Sequence, residues 1–312
     1  MVRSALILML LLAPALSAAD SVVLILNGVP GSPEHAERFL EWSRATRAAM
    51  IDTFGFASED VIMLSNREAR ADDIRNTFEG LKERLGPTDI FFVFFIGHGS
   101  FAGADYKFNI MGADLTATDY NDLLSSLGAG RIVIVNATTS SGGSIEALAG
   151  QNRIIVTATR SGTERNDTIF YDYFLEGLTE ETSDEDKNQR LSVWEAFRYA
   201  TLGVERFYSE QTRLATEHPQ ISDNGNEKTG VETENMPVLA RMIHFNAEEK
   251  IEITDPVLRA LLDEKRQLEQ HIESLRLIKD TLSEDEYDKQ LEELIIDLAL
   301  KNQEIRAQEL NQ

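Results

Sequence analysis

The residues of this chain that could carry out nucleophilic chemistry are one histidine and a group of hydroxyl side chains. Residues 89–100 read DIFFVFFIGHGS, an apolar run that ends in a histidine between two glycines. Residues 131–144 read RIVIVNATTSSGGS, a second apolar run that ends in threonines and serines. A histidine within hydrogen-bond reach of a hydroxyl can act as its general base. Glycines beside that histidine let the backbone turn sharply and let a substrate carbonyl come close.

Both segments belong to a pattern in which short apolar runs alternate with amphipathic stretches. The predicted strands are residues 22–26, 61–64, 90–96, 132–135 and 154–157. The predicted helices are residues 33–53, 71–85, 118–127 and 192–213, with a small hairpin at 107–115. Nearly continuous hydrophobicity is typical of strands that are covered on both faces. The alternation therefore predicts an α/β fold with a mostly parallel sheet.

His98 and Thr138 each stand just past the end of a predicted core strand. In an open parallel sheet, ligands bind beyond the carboxyl ends of the strands. The strands that end before these two residues are expected to be neighbours, which would bring a base and a hydroxyl to one edge of the sheet.

This arrangement resembles the caspase–legumain group of cysteine peptidases, and legumain-type peptidases most closely, over residues 21–218. In that group a His-Gly after one strand faces a Cys after the next strand. The resemblance implies a caspase-like three-layer αβα domain, with His98 as the dyad histidine and Thr138 at the position of the cysteine. It also implies that the amides of Gly99 and of residue 138 donate hydrogen bonds to the oxyanion. The segment Thr159, Arg160 and Ser161 would help to line the substrate pocket.

The chain departs from that group at the nucleophile, because it contains no cysteine. Where the group reads Glu/Asp-Ala-Cys-x-Ser-Gly, residues 136–142 read NATTSSG. A threonine hydroxyl is far less acidic than a thiol and needs a well-oriented base. Asp105 and Asp114 are candidates for orienting His98, by proximity in the sequence alone.

Three hypotheses follow from this departure. The first is a pseudopeptidase that binds a peptide in the cleft or scaffolds a protein partner through its C-terminal helices. The second is a hydrolase in which Thr138, Ser140 or Ser141 acts with His98 as the base. The third is an unrelated parallel α/β fold in which His98 is only a turn residue.

Charge and composition argue against several other functions. The formal net charge is −23, from 53 acidic and 30 basic residues, and such a surface repels phosphate backbones, so no nucleic-acid partner is expected. The five histidines are too scattered to indicate a zinc site. Residues 223–227, DNGNE, are loosely similar to a calcium loop but lack its spacing, which favours a solvated turn. The sequence thus predicts neither a cofactor nor a metal.

The first 19 residues have the pattern of a secretory signal peptide. Arg3 gives a positive start, an apolar run follows, and residues 17–19 are a small-residue cleavage site. We expect an exported protein, periplasmic or secreted, without a membrane span in the mature chain.

The remainder divides into three parts. Residues 20–219 should form the α/β domain, residues 220–254 a linker with a short apolar segment, and residues 255–312 an antiparallel helical hairpin of coiled-coil type. Asp255-Pro256 and a capping box from Ser283 to Glu286 predict the two helix starts. The hairpin could project and mediate self-association, or it could pack as a lid on the α/β domain.

Overall fold

A six-stranded, mostly parallel sheet forms the centre of the α/β domain in the computed structural model. The structure describes residues 21–65, 68–103, 105–226, 228–231, 237–247, 255–277, 279 and 282–309. The predicted signal peptide lies outside these residues. The strands of the large sheet are β1 (Ser21–Asn27), β2 (Val61–Ser65), β3 (Ile90–Ile96), β7 (Arg131–Asn136), β8 (Arg153–Thr157) and β9 (Gln220–Asp223). A small antiparallel sheet contains β4 (Gly99–Ala102), β5 (Asp105–Phe108) and β6 (Leu115–Thr116).

The order of the large sheet is β2-β1-β3-β7-β8-β9. Every pair is parallel except β8 with β9, which is antiparallel. The strands that precede His98 and Thr138 are direct neighbours, because β3 pairs with β7 in a register that sets Phe95 opposite Asn136. The predicted adjacency of these two strands is confirmed.

Helices cover both faces of the sheet and give three layers. They are α1 (Pro33–Ala48), α2 (Ala71–Arg84), α3 (Ala117–Ser125), α4 (Ile145–Leu148), α5 (Phe170–Thr179), α6 (Val193–Glu210) and α7 (Val238–Met242). One apolar core joins α1, α5 and α6 to one face of the sheet, and a second joins α2, α3 and α4 to the other face. All seven residues of β1 and all seven of β3 are buried, as expected for strands covered on both sides. The predicted three-layer α/β class is confirmed.

Several described elements, α4 and α7 among them, were not predicted from the sequence pattern. Gln220–Asp223 lies in the predicted linker but forms edge strand β9, whose Ile221 is fully buried. A four-residue strand with one aliphatic side chain carries no detectable period. Helix α5 was not predicted either, and the hairpin expected at residues 107–115 is a three-stranded sheet that begins at Gly99.

The C-terminal part is an antiparallel pair of helices, α8 (Pro256–Leu277) and α9 (Glu284–Glu309). Gln308 near the end of α9 donates to Asp255 at the start of α8 over 2.6 Å, and Lys301 pairs with Glu264 at 2.5 Å. Helix α8 also contacts α7 beside the α/β core. At 1.5 Å per residue the arms are roughly 33 and 39 Å long. None of the described helices is long and apolar enough to cross a membrane.

Candidate functional site

The predicted site lies where β3 and β7 end, and the chain brings the two ends into direct contact. A Cβ atom on Gly99 would come within 2.4 Å of the carbonyl oxygen of Thr139 and within 2.6 Å of the hydroxyl of Thr138. Only glycine fits at position 99, because any side chain would displace the segment that follows β7.

His98 is held as a neutral base. Its Nε2 donates to the carbonyl of Pro30 over 3.0 Å, since a carbonyl oxygen can only accept. The unprotonated lone pair of the neutral ring is therefore on Nδ1. Burial lowers the pKa of His98 below its ordinary value, the carbonyl of Pro30 opposes this shift, and His35 reinforces it. The ring makes edge contacts with His35 and Phe39 at centroid distances of 4.7 and 5.0 Å.

The carboxylate candidates named from the sequence do not orient this histidine. Asp114 accepts a hydrogen bond from the amide of Ile110 at 2.9 Å, and Asp105 is an exposed residue of β5. A different acid lies near the site: Asp167 binds Nε2 of His35 at 3.0 Å. Nothing in the local sequence of Asp167 indicated this, because it approaches from a loop 69 positions away from His98.

A cavity in front of His98 has room for about one water molecule. Its volume is about 10 Å³ for the centre of a water, and a cavity needs roughly 10–15 Å³ on that measure to hold one. The residues that line it are His35, Arg38, Phe39, Trp42, Gly97, His98, Ala137, Thr139, Asp167 and Thr168. Thr138, Ser140 and Ser141 are not among them. The hydroxyl residue after β7 that shares a cavity with His98 is Thr139.

Thr138, at the position of the cysteine in the resemblance, is enclosed in a hydrogen-bond network. It is fully buried, and its hydroxyl lies 2.6 Å from the hydroxyl of Tyr106, 2.8 Å from Oδ1 of Asn136 and 3.1 Å from the carbonyl of Thr139. Burial raises the pKa of Tyr106 far above its ordinary value, so this phenol cannot serve as a base. The network stabilises the strand end and leaves the Thr138 hydroxyl without access to a substrate.

The Thr139 side chain is hydrogen-bonded to Gly99, whose amide the resemblance assigns to the oxyanion. The amide of Gly99 donates to the Thr139 hydroxyl over 3.1 Å, and that hydroxyl donates to the carbonyl of Gly99 over 2.8 Å. The threonine side chain thus satisfies both backbone groups of Gly99.

Ser140 and Ser141 are also buried. Ser140 has a left-handed backbone with φ of 59°, and its hydroxyl has no partner within the described part of the chain. The Ser141 hydroxyl lies 3.2 Å from that of Thr159 and accepts the amide of Thr159 at 3.1 Å. Ser141 therefore fastens the segment after β7 to the segment after β8.

The segment that was predicted to line the pocket packs against the residues after β7. Thr159 is buried, whereas the side chain of Arg160 is 59% exposed and pairs with Glu164 at 3.5 Å. The hydroxyl of Ser161 contacts that of Thr163 at 2.8 Å. The ring of Phe101 lies directly over two glycines, because Cβ atoms built on Gly143 and Gly162 would come within 2.5 and 2.1 Å of it.

Comparisons with known proteins show similarity in fold alone. No protein-family model and no curated protein matches the chain. Protein GSU0716 from Geobacter sulfurreducens is similar with a TM-score of 0.48 and 15% identity, over 74% of this chain and 100% of that one. Caspase-1 from Spodoptera frugiperda is similar with a TM-score of 0.45 and 11% identity, over 70% of this chain and 93% of that one.

Proposed function

We propose that this protein is a non-catalytic member of the caspase–legumain group, which binds a peptide or protein segment and does not cleave it. Two features of the chain support membership: the glycine-flanked His98 after β3 and the NATTSSG segment after the neighbouring strand β7. The complete absence of cysteine supports the loss of thiol chemistry.

The observation that carries the proposal is the pair of hydrogen bonds between Thr139 and Gly99. A peptidase needs the Gly99 amide free to stabilise a developing oxyanion, and loss of one such donor costs about 10²–10³ in kcat. Here the hydroxyl of Thr139 accepts the hydrogen bond from that amide. These hydrogen bonds, and a cavity with room for only about one water molecule, favour a site that does not turn over a substrate.

The proposed binding region is the rim of this site, since the carboxyl edge of a parallel sheet is where ligands of such folds bind. Arg38 and Asp167 both line the cavity, and Arg160 is exposed nearby on the segment after β8. Groups of both signs suit the alternating donors and acceptors of a polypeptide. Export through residues 1–19 and self-association through the helical hairpin belong to the same proposal and rest on the sequence pattern alone.

A fluorophosphonate probe tests the proposal on the purified mature protein. We expect no covalent labelling of the wild type, because the hydroxyls of Thr138 and Thr139 are hydrogen-bonded, and Ser140 and Ser141 are buried outside the cavity of His98. Labelling that disappears in His98→Ala and in Thr139→Ala would overturn the proposal.

One observation favours a second candidate, a hydrolase with Thr139 as nucleophile. Nδ1 of His98 carries the lone pair of a base, and Thr139 lines the same cavity. In this candidate a substrate carbonyl displaces the Thr139 hydroxyl from Gly99 on binding. Hydrolysis of peptide substrates that is lost in Thr139→Ala but kept in Thr138→Ser would establish it over the first.

A further inference from the structure

The segment between α5 and α6 carries oxygen-bearing side chains at the spacing of a calcium-binding loop. Residues 184–195 read DEDKNQRLSVWE. A calcium loop of twelve residues takes side-chain ligands from positions 1, 3, 5, 9 and 12, the last a glutamate that binds through both oxygens. The residues at those positions are, in order, Asp184, Asp186, Asn188, Ser192 and Glu195. Two of these five ligands are uncharged, so the pattern is more specific than a run of acidic residues.

The backbone of this segment also matches the loop pattern. Position 6 is glycine in such loops because the chain turns sharply there. Gln189 occupies position 6 and has the left-handed φ of 65° that glycine adopts easily. Position 7 contributes its backbone carbonyl, which here belongs to Arg190. Glu195 lies in the first turn of α6 and is 6% exposed.

Folding brings the three carboxylates together. Oxygens of Asp184, Asp186 and Glu195 all lie within 4.8 Å of one another. Two oxygens bound to one calcium ion at about 2.3–2.6 Å each can be at most roughly 5 Å apart, so the observed spacing fits a shared ion. The carboxylates converge although they repel one another.

An independent observation beside the loop points to a ligand. His244 lies opposite Ser192 in an antiparallel bridge and is 4% exposed. Its Nδ1 is buried and has no hydrogen-bond partner within the described part of the chain. A buried ring nitrogen without a partner indicates a water or ion. Calcium loops often bind the ion at position 9 through a water, and such a water beside Ser192 would be a hydrogen-bond partner for His244.

We propose that residues 184–195 bind one calcium ion through the side chains of Asp184, Asp186, Asn188 and Glu195, the carbonyl of Arg190 and a water held at Ser192. The charges of Glu195 and Asp186 act on Arg241, and Arg198 pairs with Glu185 in the same loop. The ion ties the loop before α6 to the strand-like segment at His244 and so stabilises the outer helical layer. The role is structural and independent of the proposed peptide-binding site.

Calcium binding is tested on the full mature protein after removal of divalent ions with EDTA. Calorimetric titration with CaCl₂ should show one site, and terbium luminescence excited through Trp194, at position 11 of the loop, should report its location. At a calcium concentration about 100 times Kd, we expect Tm to rise by roughly 5 °C. No heat and no change in Tm at about 10 mM calcium, above the range of the weakest natural loops, would overturn the proposal.

A matched pair of variants separates a built site from screening of the large negative charge. Asp186→Asn and Glu185→Gln each remove one carboxylate from the same loop, but position 2, where Glu185 pairs with Arg198, supplies no ligand. We expect Asp186→Asn to weaken calcium binding by about tenfold or more and Glu185→Gln by less than about twofold, because affinity follows the charge of the ligands. Glu195→Gln should abolish binding, but Glu195 also caps α6, so the decision rests on the first pair. Equal weakening in both would show screening and overturn the proposal.

Discussion

The hydroxyl of Thr139 and the backbone of Gly99 exchange two hydrogen bonds, with the amide donating to the hydroxyl and the hydroxyl donating to the carbonyl. This exchange joins the ends of β3 and β7 at the candidate site. It needs a short side chain with one donor and one acceptor at position 139. A cysteine sulfur is larger and a weaker hydrogen-bonding group, so the closure depends on the threonine.

Cysteine substitution at the two neighbouring threonines should reveal which one faces His98. Thr139 lines the cavity with His98, whereas Thr138 is fully buried in its own network. We expect the thiol of Thr139→Cys to react with iodoacetamide at pH 6 at least about tenfold faster than that of Thr138→Cys, since an imidazole beside a thiol favours the thiolate.

The control is the same pair in a His98→Ala background. There the rate for Thr139→Cys should fall to that of a free thiol in a partly accessible site, and the rate for Thr138→Cys should not change. A faster reaction at position 138 would restore the assignment made from the resemblance and contradict the geometry.

The packing of the Phe101 ring over Gly162 can be measured as an energetic coupling between these two residues. A Cβ on Gly162 would lie 2.1 Å from Cγ of the Phe101 ring, so Gly162→Ala should destabilise the domain by about 1–3 kcal/mol through overpacking. In the double variant with Phe101→Ala the space exists, and the losses should be sub-additive by at least about 0.5 kcal/mol. Urea unfolding of the four proteins gives the coupling. Additive losses would mean that Phe101 does not cover Gly162 in solution.

The free energy of unfolding should depend on pH through Glu217, which binds the segment beside the cavity. Its carboxylate accepts the amides of Ile169 and Phe170 at the start of α5, next to the cavity residue Thr168. Burial raises the pKa of Glu217 to about 7 from its ordinary value of 4.5. Between these values the folded state binds more protons than the unfolded state, so this group lowers the free energy of unfolding as pH rises.

Glu217→Gln should remove that dependence. Between pH 5 and 7, the wild type should lose up to about 1.4 kcal/mol of stability per pH unit more than the variant. Chemical unfolding at pH 5, 6 and 7 gives both slopes, and their difference cancels the contributions of other groups. Parallel slopes would show that the carboxylate is already charged throughout this range.

The core of the fold could be predicted from the sequence because its strands are covered on both faces. The run IFFVFFI was predicted as a strand with the bounds that β3 has, since nothing in it is polar. Helix α5 escaped prediction although it is strongly apolar. Short buried helices and strands cannot be told apart by periodicity, and its start has no capping side chain.

The sequence assigns Thr138 to the position of the nucleophile, whereas Thr139 is the residue that lines the cavity with His98. Ala137 and Thr139 line the cavity, and Thr138 contacts Asn136 below it. Side chains alternate along an extended chain, so the choice between adjacent threonines depends on how far β7 remains extended, which sequence does not give. The sequence of residues 223–227 favours a solvated turn over a calcium loop. There Asp223 accepts the amides of Leu239 and Ala240, while side chains at the ligand positions of a calcium loop lie at residues 184–195.

The hairpin should unfold independently of the α/β domain. The predicted capping box at the start of α9 is present: Ser283 donates to the carboxylate of Glu286 over 2.6 Å, and its hydroxyl accepts the amide of Glu286 at 3.4 Å. Ser283→Ala should cost about 1 kcal/mol of helix stability. Because α8 and α9 pack mainly on each other, we expect the amides of the first turn of α9 to exchange about fivefold faster, with β3 unchanged.

The matched control is Thr116→Ala, which removes the equivalent capping box with Asp119 at the start of α3 inside the α/β domain. Hydrogen exchange should then increase in the α/β domain, including β3, and stay constant in α9, because α3 packs in the core beneath the sheet. If each variant accelerated exchange in both regions, the chain would unfold as one cooperative unit. A hairpin that opens only together with the sheet would favour packing on the α/β domain and would contradict the proposed separate surface for self-association.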